Sequence, residues 1–93
     1  MPIPQERKDD INKRLNYIQG QINGIRKMVD DERACVEILT QISSTYEAMR
    51  KISQTMMRNY MENCVTNSLR SDDQEEVNRM YDEVMKVVAK YSK

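Results

Sequence analysis

Residues 35–64 read CVEILTQISSTYEAMRKISQTMMRNYMENC, an unbroken run without glycine or proline. Its apolar or half-apolar side chains recur at Cys35, Ile38, Ile42, Tyr46 (or Thr45), Met49, Ile52, Met56, Tyr60 and Cys64. Steps of three and four residues mark one face of a helix. The pattern predicts a helix over about 34–69, roughly 54 Å long at the α-helical rise.

Upstream, Ile11, Leu15, Ile18, Ile22, Ile25 and Val29 form a heptad seam, which predicts a first helix over 5–29. Gly20 and Gly24 lie one turn apart inside it, each costing roughly 1 kcal/mol of helix propensity relative to Ala. Such a pair either admits another backbone at close range or is simply tolerated. Asp30-Asp31-Glu32-Arg33 then breaks the pattern, and an aspartate here can cap the next helix. Downstream, Ser71-Asp72-Asp73-Gln74 fits a capping box with Ser71 as N-cap. Val77, Tyr81, Val84, Val88 and Tyr91 continue it as a third helix over 72–91. The chain therefore reads as all-α: one domain over 1–93, with three helices and a long central one.

Two shorter helices cannot cover so long a central helix, and its apolar stripe needs a partner. The simplest partner is a second copy, with two helical hairpins closing an antiparallel four-helix bundle.

Composition narrows the function. Fifteen Lys and Arg balance fifteen Asp and Glu. Residues 1–60 carry ten basic and eight acidic side chains and residues 61–93 carry five and seven, so an anionic partner is expected on the N-terminal part. The absence of histidine excludes His-based zinc sites and His general bases. No apolar run approaches the roughly 18 residues of a membrane span, and no signal-like stretch follows the start. A soluble cytoplasmic protein without a membrane partner is expected. No Gly-rich phosphate loop or isolated carboxylate pair suggests an enzyme, and no cofactor is expected. Met49, Met56, Met57 and Met61 read as core at their helical spacing rather than as a copper-binding methionine box.

Cys35 and Cys64 are the chemically distinctive pair. On one ideal helix their separation is eight turns plus about 20°, so they share a face, but they lie about 44 Å apart along the axis. A disulfide needs Cα atoms within about 7 Å, so they cannot meet within one chain. If two copies of the helix cross antiparallel near Met49 and Arg50, each Cys35 falls near the partner's Cys64. The plainer reading makes each thiol a small buried apolar residue. Cys35 has one feature favouring thiolate, its place in the first turn of a helix. A two-sulfur site suits Cu(I) or thiol oxidation and sulfur transfer.

The strings Arg14-Leu15, Ile18-x-Gly20-Gln21-Ile22-x-Gly24-Ile25, Met28-Val29, Cys35-x-x-Ile38-Leu39-Thr40-Gln41-Ile42-Ser43 and Cys64-Val65 resemble the copper-sensitive operon repressor (CsoR/RcnR-like) family. The resemblance covers roughly residues 7–66. It implies a DNA-binding transcriptional repressor, a dimer of antiparallel hairpins that pairs into a homotetramer, and a site shared between Cys35 and the partner's Cys64. Copper sensors of the family carry His one turn before the second Cys, where this chain has Tyr60, and an acidic residue near the position of Met80. Nickel and cobalt sensors need several His. A dithiol without imidazole most resembles the persulfide-sensing (CstR-like) branch, in which thiols joined by di-, tri- or tetrasulfide links release operator DNA and derepress sulfide-detoxification genes. On that reading Cys35 and Cys64 are redox-sensing, Tyr60 lies beside them, no metal ligand is assigned, and low-molecular-weight persulfides or polysulfides are the inducers. The alternatives are a Cu(I) sensor, and a formaldehyde sensor using Pro2 and Cys35.

Nothing in the sequence reads as helix-turn-helix or zinc finger. Lys13-Arg14 and Arg50-Lys51 are the basic pairs chosen for DNA, and the resemblance implies that Arg14 and Lys51 contact the operator, a GC-rich pseudo-palindrome. Tyr17 stands where the family often has another basic residue. A helical adaptor without DNA is the rival class, separated from a repressor by salt-dependent operator binding.

Overall fold

A computed structural model of the chain describes residues 2–91, apart from the side chains of Cys64 and Val65. Its elements are α1 (Gln5–Asp30), α2 (Cys35–Tyr60), a π-helical segment (Met61–Val65), the single turn α3 (Thr66–Leu69) and α4 (Gln74–Tyr91). The described residues contain no strand. Two compact units emerge, one of residues Ile3–Gln54 and the other of Pro2 with the chain from Thr55 onward. Each is described by itself.

In the unit Ile3–Gln54, the heptad seam of α1 divides into two stripes. Ile11, Ile18 and Ile25 turn toward α2, and Ile18 is buried. Leu15, Ile22 and Val29 stay exposed. In α2 the inward stripe is Ile38, Thr45 and Ile52, whereas Val36, Leu39, Ile42, Tyr46 and Met49 face outward. Thr45 therefore takes the inward place that Tyr46 was also a candidate for. Gln21 Nε2 donates to Ser44 Oγ at 3.2 Å and ties the two helices. Ile18 and Ile52 are the buried apolar residues of the described chain, each contributing roughly 1.5–3 kcal/mol. Ordering costs roughly 1–2 kcal/mol per residue, so so small a core does not hold a hairpin by itself.

The α1–α2 turn corrects one expectation. Neither aspartate caps α2: its first bond runs from Ile38 N–H to the carbonyl of Ala34, which has no capping oxygen. Asp31 instead ends α1, donating its N–H to Lys27 O at 2.9 Å. Arg33 N–H reaches Met28 O at 2.9 Å and Glu32 N–H reaches Val29 O at 3.1 Å, which is the Schellman arrangement. Its left-handed residue is Glu32, at φ 55°, where glycine is usual. The two glycines of α1 have no such need: neither has a positive φ, and a Cβ on either would meet nothing within 4 Å.

In the second unit, the predicted helix 34–69 keeps its end but not its regularity. Thr66 N–H bonds back five residues to Met61 O, one residue more than an α-turn allows. Polar side chains occupy neighbouring carbonyls: Asn63 donates to Asn59 O (2.9 Å), Thr66 Oγ1 to Met61 O (3.0 Å) and Asn67 to Asn63 O (2.7 Å). Asn59 is fully buried, and its Nδ2 donates to Pro2 O at 3.3 Å.

The start of α4 also moves. Asp73 is the N-cap, with Oδ1 accepting from Glu75 N–H at 3.0 Å and its carbonyl from Val77 N–H. Ser71, the expected cap, accepts from Asp73 N–H and donates to Glu76, closing the approach to the helix. The inward face of α4 is Val77, Met80, Val84 and Val87, while Tyr81, Val88 and Tyr91 of the expected seam are exposed. Both sets satisfy a three-four spacing, and the tyrosines keep their phenols in water.

Three substitutions check these ends. Glu32→Gly is expected to raise stability by about 0.5–1 kcal/mol, the left-handed cost of Glu outweighing the added freedom of the unfolded chain. Asp73→Ala should lower it by about 1 kcal/mol, and Ser71→Ala by less. Urea unfolding midpoints read all three; a destabilised Glu32→Gly would contradict the turn geometry.

Candidate functional site

Cys35 is the first residue of α2, exposed and free. The reading of this thiol as a buried apolar residue therefore fails within the single chain. Next to it, Arg33 and Glu37 pair across one turn at 2.9 Å. Cys64 belongs by its backbone to the π-segment, and its thiol lies outside the described residues. The expectation that both cysteines share a face assumed ideal α-winding from one to the other. The π-segment has more residues per turn, so that phase arithmetic does not extend to Cys64.

Tyr60, the last α-helical residue before that segment, is half-buried. Its hydroxyl lies 3.3 Å from Glu83 Oε1 and 3.9 Å from Met80 Sδ, both on α4. One O–H donates to one acceptor at a time, and a carboxylate accepts more strongly than a thioether. The proton therefore goes to Glu83, and the Met80 sulfur keeps its lone pairs. The acidic neighbour of position 60 is thus Glu83, one turn beyond Met80. Pro2, the other candidate residue, is exposed with its carbonyl held by Asn59. Pro2 and Cys35 belong to different units.

The basic residues meet between α1 and α2. Lys13, Arg14 and Lys51 line a groove of about 540 Å³, with Tyr17, Asp10 and Glu47 on its walls. Arg50, the fourth chosen residue, is not in the lining and pairs with Glu47 at 3.1 Å. Arg14 pairs with Asp10 at 3.0 Å. The composition reading missed these two carboxylates, although Asp10-x-x-x-Arg14 and Glu47-x-x-Arg50 have ion-pair spacing along a helix. All four side chains are about half exposed, so each pair is worth under about 1 kcal/mol and gives way readily to a stronger anion. Tyr17 stands 65% exposed at the groove, offering a ring and a hydroxyl where a cation was expected from the resemblance.

Among the described residues no three His, Cys, Asp or Glu side chains cluster as a metal site, and no helix is long and apolar enough to cross a membrane.

Residues 7–90 match the model of a family described as metal-sensitive transcriptional repressors. The copper-sensing transcriptional repressor CsoR of Bacillus subtilis is 36% identical over 86 residues, covering 92% of this chain and 82% of that protein. The copper-sensing repressor RicR of Mycobacterium tuberculosis is 33% identical over 64 residues, covering 69% and 67%. The crystal structure of the copper-sensing repressor CsoR with Cu(I) from Geobacillus thermodenitrificans superposes with a TM-score of 0.82 at 32% identity, covering 100% of this chain and 94% of that one. An all-helical chain, matched over nearly its whole length by transcriptional repressors and by no enzyme among these relatives, belongs to the metal-sensitive transcriptional repressor (CsoR/RcnR-like) family.

Proposed function

We propose that this repressor binds its operator as a homodimer or homotetramer and that Cu(I), held between Cys35 of one protomer and the partner subunit's Cys64, weakens that binding. The observation that carries the reading is 36% identity over 92% of the chain to a copper-sensing repressor. The donor chemistry fits: thiolates select Cu(I), and a chain without histidine offers little to nickel, cobalt or a His-based zinc site. This ranks Cu(I) above the persulfide expectation, since these relatives are copper sensors. One observation keeps the persulfide reading as second: Tyr60 presents a phenol already engaged by Glu83, and a phenol is a poor Cu(I) ligand. In that reading Cys35 attacks the outer sulfur of a low-molecular-weight persulfide, releasing its thiol and becoming a persulfide itself, and the partner's Cys64 attacks the inner sulfur, closing a disulfide crosslink and releasing hydrosulfide.

Self-association is supported by the outward stripes. Leu15, Ile22 and Val29 on α1 and Leu39, Ile42, Tyr46 and Met49 on α2 form apolar surface that a second copy of the same hairpin covers. DNA contact is assigned to Lys13, Arg14 and Lys51 in the groove, with Arg50 beside it. Their main targets are phosphates, which position the protein on its operator. An oligomer repeats these charges, which is how a chain of zero formal charge presents a basic surface.

Three outcomes are expected on a duplex selected by the reduced protein from a random pool. Lys51→Ala should weaken binding similarly across sequences and flatten the slope of log affinity against log salt by roughly one ion per lost phosphate contact. Asp10→Asn, which releases Arg14, should strengthen binding at low salt. In fluorescence anisotropy, Cu(I) should release the duplex from wild type but not from Cys35→Ser. Release by glutathione persulfide with no response to Cu(I) would replace the copper reading with the persulfide one.

A further inference from the structure

We propose that the Met80 thioether is a third sulfur ligand for Cu(I), completing the Cys35 and Cys64 pair; this rests on the copper reading above. Three observations lead to it. Tyr60 lies four positions before Cys64 on the same helical run, and Met80 Sδ lies 3.9 Å from the Tyr60 hydroxyl. Packing of α4 thus brings a soft donor to Tyr60, at the end of α2 next to the π-segment whose backbone includes Cys64. The sulfur is also available, because Glu83, at 3.3 Å, is the better acceptor for the single phenolic proton. Finally, Met80 is half-buried on the inward face of α4, whereas Met85 on the same helix is 69% exposed.

The chemistry is selective. Two thiolates hold Cu(I) alone, and a thioether adds a neutral soft donor that Cu(I) accepts while harder divalent ions do not. Met80 therefore supplies affinity without adding charge. In this arrangement Tyr60 acts as a positioning residue: its hydroxyl turns toward Glu83 at 3.3 Å and lies 3.9 Å from the thioether sulfur. A bound ion would also tie α4 to the run that ends α2, so that occupancy is felt by the C-terminal helix.

The test uses full-length, anaerobically reduced protein with one equivalent of Cu(I) per protomer. Copper K-edge absorption counts the sulfur neighbours, and competition with bathocuproine disulfonate gives the affinity. Wild type and Met85→Leu should show three sulfurs. Met80→Leu, close in volume, should show two and bind at least the roughly tenfold more weakly that loss of an outer-shell partner already costs. Methionine methyl NMR of wild type removes dependence on the variant's folding: the Met80 methyl should shift on Cu(I) addition while that of Met85 stays. Two sulfurs and equal affinity in wild type and Met80→Leu, or an unmoved Met80 methyl, would overturn the proposal and leave the copper reading standing. Wild type that binds Cu(I) no better than the Cys35→Ser/Cys64→Ser double variant would overturn both.

Discussion

The apolar surface of this chain exceeds what one copy can bury, and the rest of the structure follows from that constraint. The first helix and the second each carry two apolar stripes. One stripe of each closes the hairpin through Ile18 and Ile52, and the other is left facing water. Burial worth a few kcal/mol in the single chain cannot offset the ordering of two long helices. A second copy supplies the missing surface, and an antiparallel pairing is what brings residues from opposite ends of α2 toward each other. The shared thiol site we propose follows from this solution to the packing problem.

The residues proposed to bind phosphate gather in the α1–α2 groove, where weak pairs with Asp10 and Glu47 hold Arg14 and Arg50. The responsive chemistry is proposed for the segment that carries Cys64, where the π-segment, the buried Asn59 and the Tyr60–Glu83 contact interrupt a plain helix. π-segments cost regular hydrogen bonding and recur at functional sites. Here Asn63, Thr66 and Asn67 add side-chain hydrogen bonds to the carbonyls of Asn59, Met61 and Asn63, so the irregularity is held by particular side chains.

Much of this was legible in the sequence. The three-four spacing gave three helices, with α1 and the end of the second helical run within a residue or so of their places, because periodic burial is strong over long elements. The family strings around Gly20-Gln21 and Leu39-Thr40-Gln41-Ile42 led to the repressor family. What was not legible depends on competition between near-equal local choices. Ser71 and Asp73 both make good caps, and the tertiary fit of α4 selects Asp73. Val77-Tyr81-Val84 and Val77-Met80-Val84 are equally periodic, and only packing chooses Met80 for the inward face. The π-segment leaves the apolar spacing intact, and its one trace is the polar series Asn59, Asn63, Thr66 and Asn67. By sequence, Tyr60 in place of an imidazole points to a persulfide inducer, whereas the similarity to copper-sensing repressors favours Cu(I).

The central claim is that the responsive site is built from two protomers, and co-expression of Cys35→Ser with Cys64→Ser chains tests it directly. A mixed dimer of these variants retains one intact pair, Cys35 of one protomer with the partner subunit's Cys64. Each variant alone should fail to hold Cu(I) against bathocuproine disulfonate, whereas the mixed dimer, isolated by differential tags, should hold one ion per dimer. No recovery in the mixed dimer, with wild type still binding, would contradict a site shared between chains.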